Sequence, residues 1–214
     1  MTSDPFQRLA DTFGVAALPH GLFYAFPYAL RFELGGEVFS NRTVPVPRFL
    51  QAIDRARAVS RELFRTSQCV SALISYVAGT RSAGVTRKVR QQIKALGVRY
   101  DLGQPSQMAA DEDFQLDGGT FRYCHCIDLR PHAPDIEALL WGAISNEMRI
   151  EPSLRVALVH LADFDRGILL HVYDDRGMDV IATEAGQLRP LYEVFADWLL
   201  VYDRPTMDAT FSHQ

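Results

Sequence analysis

The chain has 214 residues, 48% hydrophobic and 22% charged, with 14 Gly and 11 Pro, a composition that excludes a disordered tail, a collagen-like rod and a coiled coil. The formal net charge is -4 and the pI near 5.8; no apolar run reaches the ~18 residues that a membrane span needs, and residues 1–6 lack the basic start and apolar stretch of a signal peptide. Three cysteines, two of them at positions 124 and 126, do not make an extracellular disulfide framework, so a cytoplasmic protein without a membrane segment, folded as one domain over 1–214, is expected.

The total charge hides a division. Residues 1–110 carry fourteen Arg and Lys against seven Asp and Glu, giving +7, whereas residues 111–214 carry eight against nineteen, giving -11. Either the fold presents opposed surface potentials or its halves interleave and neutralise each other.

In chain order, residues 5–13 read as a short helix, and residues 28–35 alternate apolar with polar before Gly35 and Gly36, as a strand ending in a turn does. After Pro45 and Pro47, Phe49, Ile53, Ala56, Ser60 and Leu63 recur at three- and four-residue steps, which predicts a helix near 47–66 with Arg57, Arg61 and Arg65 on its back. Residues 68–78 are rich in β-formers and predict a central strand. Val85, Val89, Ile93 and Leu96 predict a second amphipathic helix over 84–96, with Gly97 as its cap and Arg87, Arg90 and Lys94 outward.

A short strand is expected at 98–102, followed by a long aperiodic acidic loop over 103–119 that holds Asp111, Glu112, Asp113 and Asp117 around Phe114. Residues 120–129 alternate strictly. Pro131 and Pro134 introduce a helix over 134–149, and three strands at 154–161, 168–173 and 178–183 suggest a meander whose turns each hold a Gly where a positive φ is convenient. A helix near 188–200 and a short polar tail complete the chain. The expected fold is α+β: a mostly antiparallel sheet with a C-terminal three-stranded meander, covered by about four helices.

No hydrolase, zincin, P-loop or dinucleotide motif is present, nor a paired C-x-x-C. On a strand, Cys124 and Cys126 share one face and His125 takes the other, so these three cannot chelate one zinc; no metal and no cofactor are expected. His160 and His171 fall on adjacent strands of the meander. If Ala162 pairs with Ile168 they lie on opposite faces, and a one-residue slip would put them directly across from each other. Asp174, Asp175 and Asp179 surround Arg176 and Gly177, a spacing that suits a tight turn better than a cation loop.

Residues 30–35 (LRFELG), Arg55 and Ala56 running to Leu63 and Phe64, residues 171–180 (HVYDDRGMDV), Leu191 and Tyr192, Trp198 and Leu199, and residues 202–204 (YDR) together resemble the bacterial family called domain of unknown function 3885. The resemblance implies a small bacterial cytoplasmic α+β protein and carries no reaction and no catalytic residues with it.

By elimination, the expected function is a non-catalytic protein-binding module, of the immunity or antitoxin type that neutralises a basic toxin partner. Asp111, Glu112, Asp113, Phe114, Asp117, Asp174 and Asp175 are its candidate contact residues, because clustered carboxylates speed encounter with a basic face. Two other classes compete: a small hydrolase-like enzyme with a scattered His160, His171 and Asp174/Asp175 site, and a nucleic-acid binder using the two Arg-rich helices, which a net-acidic chain does not favour.

Overall fold

The computed structural model describes residues 4–19, 21–36, 45–79, 83–109 and 120–212. Among them, strands β1 (Ala29–Glu33), β2 (Val70–Gly79), β3 (Ser106–Ala109), β4 (Thr120–Leu129), β5 (Leu158–Asp163), β6 (Ile168–Val172) and β7 (Gly177–Ala182) form one sheet in the order β1-β7-β6-β5-β2-β4-β3. Every neighbouring pair is antiparallel. The α+β class and the C-terminal meander β5-β6-β7 are therefore as the sequence predicts. All residues of β6 and β7 are buried, because the sheet is covered on both faces there, which is why those strands read as nearly continuous apolar runs.

One face is covered by the N-terminal segment. Helix α1 (Pro5–Phe13) starts on Pro5 with the Asp4 side chain accepting from the Phe6 N–H, and it ends at Gly14 with φ 70°, the left-handed cap that glycine adopts without strain. Arg8 reaches from α1 to Asp128 of β4 at 3.3 Å, and α2 (Leu22–Ala25) sits over β7, where the Phe23 N–H donates to Asp179. The opposite face meets α4 (Ala83–Ala95), since Tyr76 of β2 hydrogen-bonds Thr86 at 2.8 Å. Helices α3 (Pro45–Leu63) and α5 (Pro134–Ile144) pack on each other through Phe49 and Trp141, edge to face at 4.5 Å. Gly142 of α5 is where the chain end of α4 presses in: a Cβ there would lie 3.1 Å from a Leu96 methyl.

Several elements depart from the sequence expectation. Residues 98–102 form no strand; the Leu102 carbonyl accepts from the His125 ring, which stands on the face of β4, so this segment crosses over the sheet instead of joining an edge. Part of the expected loop at 103–119 is strand β3, paired with β4 from Ser106↔Cys124 to Ala109↔Phe121. The expected helix at 188–200 breaks into α6 (Arg189–Val194) and a 3₁₀ turn (Ala196–Trp198), and another 3₁₀ turn (Ala185–Gln187) precedes it. Leu199 bridges to Phe32 and the Leu200 N–H donates to the Arg31 carbonyl, so β1's open edge captures the chain and ends the helix. The expected polar tail is instead helix α7 (Arg204–Phe211), held by buried Met207 and Phe211.

The two glycines of the meander turns do different work. Gly167 takes φ 62°, whereas Gly177 does not adopt a positive φ. It is required for close approach: a Cβ there would meet the Tyr173 hydroxyl and stand 2.7 Å from the Phe32 carbonyl oxygen.

Candidate functional site

The register places one line of side chains across six strands: Arg31, Asp179, His171, His160, Leu73 and Cys126 are successive cross-strand partners. Strand alternation puts them all on the face covered by α1 and α2. At one end Arg31 holds Asp179 with two prongs, Nε to Oδ1 at 2.7 Å and Nη2 to Oδ2 at 2.9 Å, and its Nη1 reaches Asp203 at 3.4 Å. Asp179 also accepts from the Phe23 N–H at 3.1 Å. The guanidinium lies 4.6 Å from the Tyr24 ring centre and 5.1 Å from that of Phe23, and the hydrogen bonds it donates to Asp179 raise its pKa above the ordinary arginine value.

In the middle of the line His160 and His171 face each other, because Asp163 and not Ala162 pairs with Ile168. The Asp163 carboxylate accepts from the Arg166 N–H at 3.0 Å, which fixes the turn and thereby the register. The His171 ring donates from Nδ1 to the Val159 carbonyl at 2.9 Å, while His160 Nδ1 is buried without a partner. Burial first, then the neighbouring His171 and Arg122, hold His160 well below the usual histidine range. The two residues are 2% and 3% exposed, so this pair is a piece of core; a general base has to reach the proton it moves, and neither residue faces solvent.

The acidic turn is equally inward. Asp174 accepts from the Arg176 N–H at 2.7 Å and from Arg176 Nε at 2.8 Å. Asp175 is ion-paired with Arg48, whose guanidinium occupies the space a Cβ on Gly35 would need. Both carboxylates are at most 3% exposed and face arginines instead of solvent. Asp111, Glu112, Asp113, Phe114 and Asp117 lie outside the described residues.

The charge division of the sequence resolves by interleaving. The basic half supplies β1, β2 and β3 and the acidic half β4 to β7, and ion pairs join them: Arg8 with Asp128, Arg31 with Asp179 and Asp203, Arg48 with Asp175, and Arg57 and Arg61 with Glu137. Although partial burial opposes it, Arg61 and Arg57 hold the Glu137 carboxyl below the usual range. The Arg-rich back of α3 is therefore tied to α5, with Arg65 on Glu62.

As the alternation requires, Cys124 and Cys126 share the α1 face, and His125 points to the other, where its ring donates to Leu102. Burial pushes the Cys126 thiol up to about 11 and the Cys124 thiol further still, so neither is a thiolate nucleophile near neutral pH. Among the described residues no three His, Cys, Asp or Glu side chains stand together as a metal site would need. No described helix is long and apolar enough to cross a membrane.

One surface escaped the sequence reading. Tyr24, Val201 and Tyr202 are 67%, 80% and 84% exposed, and the Tyr24 hydroxyl donates to Asp203 at 3.1 Å, which joins α2 to the 3₁₀ turn Val201–Asp203. These residues sit over the Arg31 end of the polar line. No periodicity marks them, because β1 pulls the preceding Leu199 and Leu200 out of the helix that their spacing suggests.

The chain is similar to the uncharacterized protein YnaE of Bacillus subtilis (strain 168), 22% identical over 189 residues that cover 81% of this chain and 86% of that one. No solved structure matches it. The sequence profile described as a domain of unknown function, DUF3885, runs over residues 6–203, from α1 through the whole sheet to the Asp203 that closes the Arg31 cluster, and the chain belongs to that family.

Proposed function

We propose that this chain is a non-catalytic protein-binding module whose contact surface centres on Tyr24, Val201 and Tyr202. The observation that carries this reading is the exposure of three large side chains on two segments fastened to each other and to the sheet through Asp203 and Arg31. Rigid aromatic side chains lose little entropy on binding and are the usual anchors of protein interfaces. The buried carboxylates support the same reading, since Asp179 and Asp175 are spent on arginine pairs inside the fold.

The narrower form of the proposal is an immunity or antitoxin-type protein that neutralises a basic toxin. In it, Asp111, Glu112, Asp113 and Asp117 with Phe114 form an acidic rim that steers the encounter, while Asp174 and Asp175 remain inside the fold. The test of the module is the double variant Val201→Ala/Tyr202→Ala, which removes the two most exposed side chains of the surface and leaves the Tyr24–Asp203 hydrogen bond in place. It should lower affinity for a co-purified partner by about tenfold or more with no change in thermal midpoint; unaltered affinity would refute the surface. Co-expression with a basic toxin encoded beside the gene tests the narrower form, which predicts relief of growth arrest, and persistent arrest would leave only the general module.

A further inference from the structure

Helix α4 differs from α3 in what its charges do. Its sequence AGVTRKVRQQIKA holds Arg87, Lys88, Arg90 and Lys94 and no acidic residue. Among the described residues no ion pair engages Arg87, Lys88, Lys94 or the Arg99 that follows, whereas Arg57 and Arg61 of α3 and the Arg65 just after it all meet carboxylates. In a chain of net charge -4, unneutralised cations gathered on one helix and its following loop ask for a reason.

They line a cavity. Arg90 and Lys94 on one side, and Arg99 and Tyr100 on the other, border a groove of about 600 Å³. Buried Ile93, Val98 and Leu102 contribute its apolar floor. Arg90 donates to the Gly103 carbonyl, which ties the loop to the helix and keeps the groove's shape, and among the described residues no carboxylate pairs with its guanidinium. Two acids stand near the wall, and both accept from backbone: Asp101 from the Gly103 N–H at 3.0 Å and Asp135 from the Arg99 N–H at 3.4 Å, so three cations outnumber two carboxylates. Compensation of the helix dipole would account for Lys94 in the last turn. It does not account for Arg90 a turn earlier, for Arg99 beyond the cap, or for the 42% exposed Tyr100 beside them.

We propose that this groove binds a phosphorylated nucleoside unit, with its phosphates on Lys94, Arg99 and Arg90 and its base against Tyr100. Guanidinium forks and an ammonium together suit a polyphosphate oxygen cluster better than a lone carboxylate does. An exposed aromatic ring next to cations is the platform on which bases stack, and the volume lies in the range of small-ligand sites. The unit comes either free or as part of a single strand.

The full chain is titrated calorimetrically at 50 mM salt with ATP, with inorganic tripolyphosphate and with an eight-nucleotide single-stranded RNA. Binding of ATP alone assigns the free nucleotide, binding of the RNA assigns the strand, and either supports the site. Lys94→Glu/Arg99→Glu should weaken it about tenfold or more, with melts lowered only by the small helix-end cost of reversing Lys94, and Tyr100→Ala should weaken it about fivefold with circular dichroism melts unchanged. The proposal is overturned if neither ATP nor RNA binds, if charge reversal leaves affinity intact, or if tripolyphosphate matches ATP and Tyr100→Ala has no effect, since that pattern leaves only a nonspecific cationic surface.

Discussion

The imidazoles of His160 and His171 stack across β5 and β6 with ring centres 4.0 Å apart and planes 17° from parallel. Two charged rings at that distance would repel in a medium that screens poorly, and the buried Nδ1 of His160 has no acceptor to stabilise a proton. His160 is therefore favoured in its neutral form.

A pH dependence follows from its sign. Unfolded His160 titrates near 6.5, and folded His160 well below it, so unfolded chains take up a proton that folded chains refuse. Stability is complete above about pH 7.5 and falls as pH drops through 6.5, at up to about 1.4 kcal/mol per pH unit for one proton. Urea midpoints at pH 7.5, 6.5 and 5.5 should show this slope, and His160→Leu should flatten it. Some slope remains from His125, which burial also lowers. An equal slope in the variant would exclude His160 as its source.

At the other end of the same line, Arg31 neutralises two carboxylates that are 2% and 5% exposed. Removing one partner of a buried pair strands the other, so Arg31→Ala should cost about 3–5 kcal/mol in urea unfolding. Arg31→Lys should fall between, because an ammonium cannot reproduce the two-pronged contact with Asp179. Both variants should also loosen Tyr24, whose hydroxyl depends on Asp203, and so weaken partner binding at 25 °C even where the chain remains folded. A melt of Arg31→Ala indistinguishable from the parent would mean that the cluster contributes nothing to folding.

What the sequence made legible, and what it did not, follows the range of the interactions. Strict alternation over Thr120–Leu129 and the apolar stripes of α3 and α5 are local signals, and each yields the observed element. The helix expected at 188–200 fails because Leu199 and Leu200 meet β1, some 170 residues earlier in the chain, and no local pattern records that competition. Asp174 and Asp175 read as turn acids free for a partner. Asp174 is taken by Arg176 two residues on, but the burial of Asp175 depends on Arg48, which is 127 residues away. The histidine register turned on a single residue, decided by the Asp163 side chain capping its own turn. The exposed Tyr24 and Tyr202 come together only through Asp203 and Arg31, so the candidate surface was invisible until the sheet was built.

Two glycines that look alike in sequence, Gly177 and Gly84, differ in what an added Cβ would meet. Gly177 pairs with Glu33 of β1, and a Cβ there would meet the Tyr173 hydroxyl and stand 2.7 Å from the Phe32 carbonyl oxygen. The hydroxyl can swing aside, but the carbonyl belongs to a strand held by β7 on one side and by Leu199 and Leu200 on the other. Gly177→Ala should therefore destabilise by about 1–3 kcal/mol, the usual cost of forcing atoms into filled space. Gly84 lies in the first turn of α4 with nothing within 4 Å of its would-be Cβ. There alanine should stabilise by up to about 1 kcal/mol, because glycine loses more backbone freedom on entering a helix. Urea unfolding of the two variants side by side checks both signs. A Gly177→Ala protein as stable as Gly84→Ala would show that β1 is not pressed against the turn, and with it the pairing of Glu33 with Gly177 would have to be abandoned.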